Sequence, residues 1–172
     1  MRNDSAAKHP LSLGVRAIRF EDVPDILRLI RRSVDHGCRD HYDPAQRAAV
    51  FASYAQNLFV DALGPFDTVA AVEAERLIGV AQLDPQTDRL RALFVDADFQ
   101  QRGVGSALLA DVEQRARRRG LTRLHGAMSL NAVPFYLRAG FRPGPGPERL
   151  IAAGVSVPVV RMEKTLRTHV GG

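Results

Sequence analysis

The segment Gln100-Gln101-Arg102-Gly103-Val104-Gly105-Ser106 sets two glycines between a strand-like run and a helix-like one. Glycines there let a ligand approach the backbone, and the unpaired N–H groups of a first helical turn bind anions. Three phosphate-holding loops have this general form. The dinucleotide fingerprint requires Gly or Ala three residues after Gly105, where the chain has Leu108. The nucleotide loop ending in Gly-Lys-Ser/Thr requires a lysine, and none lies nearby. A third pattern, Gln/Arg-x-x-Gly-x-Gly/Ala, is met by Gln100, Gly103 and Gly105. A glycine-opened helix with no ligand meets it equally well.

Two further segments hold chemically capable residues. Asn131 to Phe141 reads Asn-Ala-Val-Pro-Phe-Tyr-Leu-Arg-Ala-Gly-Phe. Asn131 suits the N-cap of a short helix with Pro134 in its first turn, or a hydrogen bond to a ligand. Tyr136 is either a packed aromatic with a satisfied hydroxyl or a general acid. His36, Cys38, His41 and Tyr42 fall within seven residues. They read first as an ordinary polar loop between helices. His36-x-Cys38-x-x-His41 matches no common structural zinc spacing, so no metal is expected. Cys38 would serve as a covalent carrier only with a depressed pKa.

The elements that must position these residues follow from periodicity. Val15 to Phe20 alternates as a first strand, and Asp22 suits the cap of a helix carrying Ile26, Leu27 and Ile30. Asp43-Pro44 opens a second helix running to about Leu58. Thr68 to Val72 and Leu77 to Leu83 form a hairpin, and Leu90 to Val95 a further strand. Gln100 to Arg119 is a helix burying Val104, Leu108, Leu109, Val112 and Ala116, ended by Gly120. Leu121 to Met128 is then a strand, parallel to Leu90 to Val95. A Pro/Gly-rich connection from Phe141 leads to a last β-prone run, Ser156 to Leu166.

Composition bounds the class. The chain has 172 residues, 45% hydrophobic and 25% charged, which suits one globular α/β domain over 14–168 behind a loose tail, 1–13. No apolar run approaches the ~18 residues of a membrane span. The N-terminus lacks the apolar core of a secretory signal, and the single Cys38 fits a reducing cytoplasm. Net charge is +5. The one dense basic run, Arg115, Arg117, Arg118 and Arg119, sits where cations complement a helix C-terminus, and no aromatics interleave with it. Nucleic acid is therefore not the expected partner, whereas a small anionic ligand is.

With these segments in view, the chain resembles the Gcn5-related N-acetyltransferase family. Leu93 to Asp96 with Phe99 to Leu109 is similar to the family's strand-loop-helix motif A, whose loop holds acetyl-coenzyme A. Asn131 to Phe141 is similar to motif B, and the likeness runs in family order over about residues 14 to 166. The resemblance implies a mixed α/β fold, with a mostly antiparallel sheet that splays at its one parallel pair and helices flanking it. It implies acetyl transfer from acetyl-coenzyme A to a small-molecule or peptide amine. Backbone N–H groups of Gln101, Arg102, Gly103, Val104, Gly105 and Ser106, with Gln100 leading the loop, would hold the pyrophosphate. Main-chain groups of Phe94 and Val95 would pair with the pantetheine arm and polarise the thioester, and Asn131 would bond that arm. Tyr136 would protonate the leaving thiolate. Many members carry Glu near the start of the strand before motif A, where this chain has Arg89 with Asp88 adjacent. The base is thereby left among Asp88, His36, His41 and water. The resemblance leaves a homodimer open.

Overall fold

The computed structural model describes residues 13–61 and 64–167. The alternating runs become strands β1 (Gly14–Ala17), β2 (Asp67–Glu73), β3 (Arg76–Asp84), β4 (Arg89–Val95) and β5 (Arg123–Ser129). Three more follow, β6 (Arg142–Pro143), β7 (Glu148–Ala152) and β8 (Val155–Thr165). They form one sheet in the order β1-β2-β3-β4-β5-β8-β6, with β7 also paired to β8. The helices are α1 (Val23–Gly37), α2 (Pro44–Asp61), α3 (Val104–Arg118) and α4 (Val133–Arg138). Residues 1–12 of the expected tail and residue 168 lie outside the described residues, while Leu13 packs against the core.

The sheet separates two apolar layers because its strands alternate. Val69, Ala71, Ile78, Ala81 and Leu83 face α3, where Leu108 and Val112 are wholly buried. Val80 and Phe94 face the opposite way, onto Ile26, Leu29 and Ile30 of α1 and Tyr54 of α2. Each fully buried Leu or Ile contributes about 1.5–3 kcal/mol, so the layers hold the fold. Gly79 lets the sheet and α3 approach closely. A Cβ there would lie 2.8 Å from Leu108 Cδ1 and 3.2 Å from the Phe94 carbonyl oxygen.

Several boundaries differ from the sequence reading, each for a local reason. The first strand stops at Ala17 because the Asp22 carboxylate grips Arg16 (2.7 and 2.9 Å) and the Arg19 N–H (2.7 Å). A tight turn, Phe20–Asp22, replaces its end and leaves Phe20 exposed. Asp22 is thus spent on that turn and does not cap α1 through its side chain. Asn131 likewise does not cap α4; it lies in a 3-10 turn, Leu130–Ala132, that precedes the helix. The helix expected from Gln100 starts at Val104, after a 3-10 turn at Ala97–Phe99 and left-handed residues Gln101 (φ 59) and Gly103 (φ 82). The connection after Phe141 holds strands β6 and β7, the latter turning into β8 through Ala153 and Gly154, both at positive φ.

Other expectations hold as stated. Asp43 and Gln46 cap α2 reciprocally, with Gln46 N donating to Asp43 Oδ1 (2.8 Å) and Asp43 N to Gln46 Oε1 (3.1 Å). Gly120 ends α3 in a left-handed turn, with Leu121 N donating to Ala116 O at 3.0 Å. In the basic run, Arg115 pairs with Asp111, Arg117 with Glu113 and Arg119 with Asp67, so most of its charge is answered within the fold.

Two irregularities of β4 matter most. Its parallel partner β5 is in register only at Arg89 and His125, beside the bond from His125 N to Asp88 O (3.0 Å); beyond that point the strands part. On its other side, the ladder to β3 steps from Gln82–Ala92 to Leu83–Leu90, so Arg91 is the extra residue of a β-bulge.

Gly79→Ala should destabilise the protein by about 1–3 kcal/mol, since the new methyl overpacks the seam between β3 and α3. A urea midpoint equal to wild type would contradict this close approach.

Candidate functional site

The first internal bond of α3 runs from Ala107 N to Gly103 O (3.0 Å), and no side chain caps the helix. The N–H groups of Gly103, Val104, Gly105 and Ser106 therefore have no helical acceptor. They open onto a cleft of about 510 Å³ whose walls include Gln100, Gln101, Gly103, Gly105 and Ser106 on one side and Asn131, Phe135 and Tyr136 on the other. The α3 dipole makes this end electropositive. Gly103 needs its glycine for backbone shape, and a Cβ there would meet nothing within 4 Å. Gly105 needs it for space, since a Cβ would lie 3.3 Å from the Phe135 ring.

Because β4 loses β5 beyond Arg89, its remaining edge is open to the cleft. Leu93 and Val95 line that cleft. Phe94 points to the opposite face, into an inner chamber of about 100 Å³. Gln100 Nε2 lies 3.5 Å from Val95 O, tying the loop to the strand. An extended ligand can add to such an edge as a further strand would.

Cleft and inner chamber share three residues, Leu93, Ala132 and Tyr136, and so meet at Tyr136. The Tyr136 ring is buried and packs edge-on against Phe135 (5.1 Å) and Phe141 (5.2 Å). Burial raises its pKa, so the hydroxyl keeps its proton, and it makes no hydrogen bond among the described residues. A protonated donor therefore stands at the junction.

The loop after α1 proves to be a structural support of the cleft. Cys38 Sγ donates to Asn131 Oδ1 at 3.2 Å, leaving the Asn131 amide nitrogen as its remaining donor. That nitrogen lies near Gly37, where a Cβ would come within 3.3 Å of it. Burial pushes the Cys38 pKa up to about 11, which keeps a thiol rather than a nucleophilic thiolate. Tyr42 Oη donates to Pro158 O (2.6 Å) and accepts from Leu130 N (3.0 Å), joining the loop to β8 and to the turn holding Asn131. His36 and His41 are exposed and line neither cavity.

The remaining candidates divide. Val104 buries its side chain in the core and offers only its backbone. The Arg102 guanidinium is turned to Glu73 (3.4 Å) and stacks over Phe99. Asp88 sits at positive φ and pairs with Arg123 (3.5 Å), away from both cavities. Among the described residues no group of three or more His, Cys, Asp or Glu is arranged to hold a metal. Sequence reasoning missed Arg138, a cation on the cleft wall, and Leu93 and Ala132 at the junction. Arg138 was legible as the residue two after Tyr136; the other two carry no signal beyond being apolar.

The family model for the acetyltransferase (GNAT) domain matches residues 39–166. Among solved structures, a GCN5-related N-acetyltransferase from Rhodopseudomonas palustris is similar at a TM-score of 0.83 and 24% identity, over 92% of this chain and 99% of that one. The paia N-acetyltransferase from Thermoplasma acidophilum, solved in complex with coenzyme A, is similar at 0.77 and 17%, over 90% and 99%. A GCN5-related N-acetyltransferase from Kribbella flavida is similar at 0.67 and 28%, over 90% and 98%. No curated protein matches at a significant level.

Tyr42→Phe should cost about 1–3 kcal/mol, because it leaves two backbone groups near the cleft unpaired. Thermal or urea unfolding checks this, and an unchanged stability would remove Tyr42 from the support of the site.

Proposed function

The chain belongs to the GNAT acetyltransferase family, and from that footing we propose that it moves an acetyl group from acetyl-coenzyme A directly to a primary amine. The observation that carries the proposal is the meeting of an anion-binding cleft and a separate apolar chamber at a protonated tyrosine. A donor bound in the cleft and an acceptor bound in the chamber would come into contact only there.

In this reading the pyrophosphate sits on the N–H groups of Gln101 to Ser106, with Arg138 on the facing wall. The pantetheine arm lies along the free edge of β4 at Phe94 and Val95, and the Asn131 amide nitrogen donates to one of its carbonyls. A β4 N–H polarises the thioester carbonyl as an oxyanion donor. The neutral amine nitrogen attacks the carbonyl carbon and forms a tetrahedral adduct. The adduct collapses with cleavage of the C–S bond, and the sulfur leaves with the electron pair. Tyr136 stabilises that sulfur by donating its hydroxyl proton. Its raised pKa suits a hydrogen-bond donor that takes its proton back, or is resupplied from water. The amine sheds its own proton to water, since no carboxylate or imidazole among the described residues lines the chamber.

Saturation at about 100 times Kd should add about 2.7 kcal/mol of stability, read as a raised melting midpoint with acetyl-coenzyme A and not with adenosine. Gly103→Glu should abolish that rise, because it sets a carboxylate and a strained φ where phosphate belongs. Tyr136→Phe should lower turnover at least about 100-fold with coenzyme affinity retained. Full coenzyme binding without turnover of any amine would favour a binding module over a transferase. No melting shift at millimolar coenzyme would end the proposal.

A further inference from the structure

We infer that the acceptor is a small primary amine that also carries a carboxylate, bound with the carboxylate toward Arg89 and Arg91; the inference rests on the transferase reading above. An outer chamber of about 260 Å³ is lined by Arg89, Arg91, Ser53, Tyr54 and the 150–152 segment of β7. It shares Ser53, Tyr54, Arg91, Leu150 and Ala152 with the inner chamber, so the two adjoin. A molecule entering here toward Tyr136 passes both guanidinium groups.

The bulge is what puts both arginines on this route. In an unbroken β4, Arg89 and Arg91 would share the face of Leu93 and Val95, toward α3. The extra residue reverses the alternation, so that Leu90 joins the α3 core and Arg89 stands on the α2 side with Tyr54. Arg91, the extra residue, is fixed by its Nε bond to Gln82 Oε1 (3.1 Å) and by stacking on the Phe66 ring (4.2 Å). Gln82 is itself held by Thr68 at 3.0 Å. Arg89 is exposed to the chamber and makes no ion pair among the described residues. The charge of both is felt at the Tyr54 hydroxyl, where it opposes the upward push of burial on the pKa.

No Asp or Glu among the described residues lines the inner or the outer chamber. A polyamine or other polycation would therefore meet two like charges and, among the described residues, no carboxylate to answer its own. A carboxylate would find the planar guanidinium fork of Arg89. The inner chamber is small and its walls include the apolar Val50, Phe94, Ala127, Val157 and Val159, which suits an apolar body between the two charged ends. Along β4, Arg89 and Leu93 stand three ladder positions apart, about 10 Å, with Arg91 between them, the scale of an amine and a carboxylate joined by a short chain.

The test measures binding to the protein already saturated with coenzyme A, which needs no turnover. 5-Aminopentanoate with pentylamine, 4-aminobutyrate with butylamine, and spermidine are titrated, and the second melting shift gives each affinity. Each carboxylate member is expected to bind at least about tenfold more tightly than its carboxylate-free partner, with spermidine weakest. Arg89→Gln should erase most of that ratio and Arg89→Lys restore part of it, coenzyme binding serving as the folding check. Equal affinity within the pairs, preference for spermidine, absence of any second shift, or a ratio unmoved by Arg89→Gln would each overturn the inference. Loss of the first shift, with coenzyme itself, would instead count against the transferase reading.

Discussion

Everything at the site depends on one hydrogen-bonded register that is not continued. β4 and β5 meet as parallel strands at Arg89 and His125 and nowhere further along. A parted sheet exposes backbone groups that a continuous one would pair, and such groups are costly unless met. The gap is tolerable because it is bounded. Gly126 allows β5 to come so near β4 at the closed end that a Cβ there would lie 2.7 Å from Leu90 O. At the open end, α3 and α4 close the opening from one side and the loop after α1 from the other. The cleft is a consequence of strand geometry, and the helices fit around it.

The support of the opening is built from few polar contacts, each satisfied. Tyr42 makes two bonds through one hydroxyl, and Cys38 turns the Asn131 amide by occupying its oxygen. Tyr136 is the exception, a buried hydroxyl with no protein partner among the described residues. A polar group left in that condition costs stability, which a protein tolerates where the group has a ligand to meet.

Much of this was legible in the chain. The glycine loop, the buried stripe of α3 and the Asp43 cap follow from local spacing, because each is decided within a few residues, and the parallel pair follows from the strand-helix-strand order. The failures share a physical cause. Asp22 and Asn131 are good capping residues whose side chains were claimed by partners their own spacing does not show, Arg16 and Cys38. Strands β6 and β7 hide in a Pro/Gly-rich stretch because their pairing with β8, not their composition, makes them strands. Arg89 was noticed only as a missing carboxylate. Which way it faces depends on a bulge, and a bulge is a property of two strands together.

That bulge has a consequence for how relatives of this chain would differ. Remove Arg91, the one residue between Leu90 and Ala92, and the ladder to β3 closes into plain alternation, with Leu90 still opposite Leu83 and Ala92 still opposite Gln82. Leu90 would keep its place in the core and Arg89 its side of the sheet, so packing would tolerate the deletion, and the loss would fall on the guanidinium held at Gln82. The electrostatic character of the pocket mouth is therefore encoded in chain length as much as in residue identity. Across an alignment it would show as a one-residue gap in β4, where a search for changed side chains alone would overlook it.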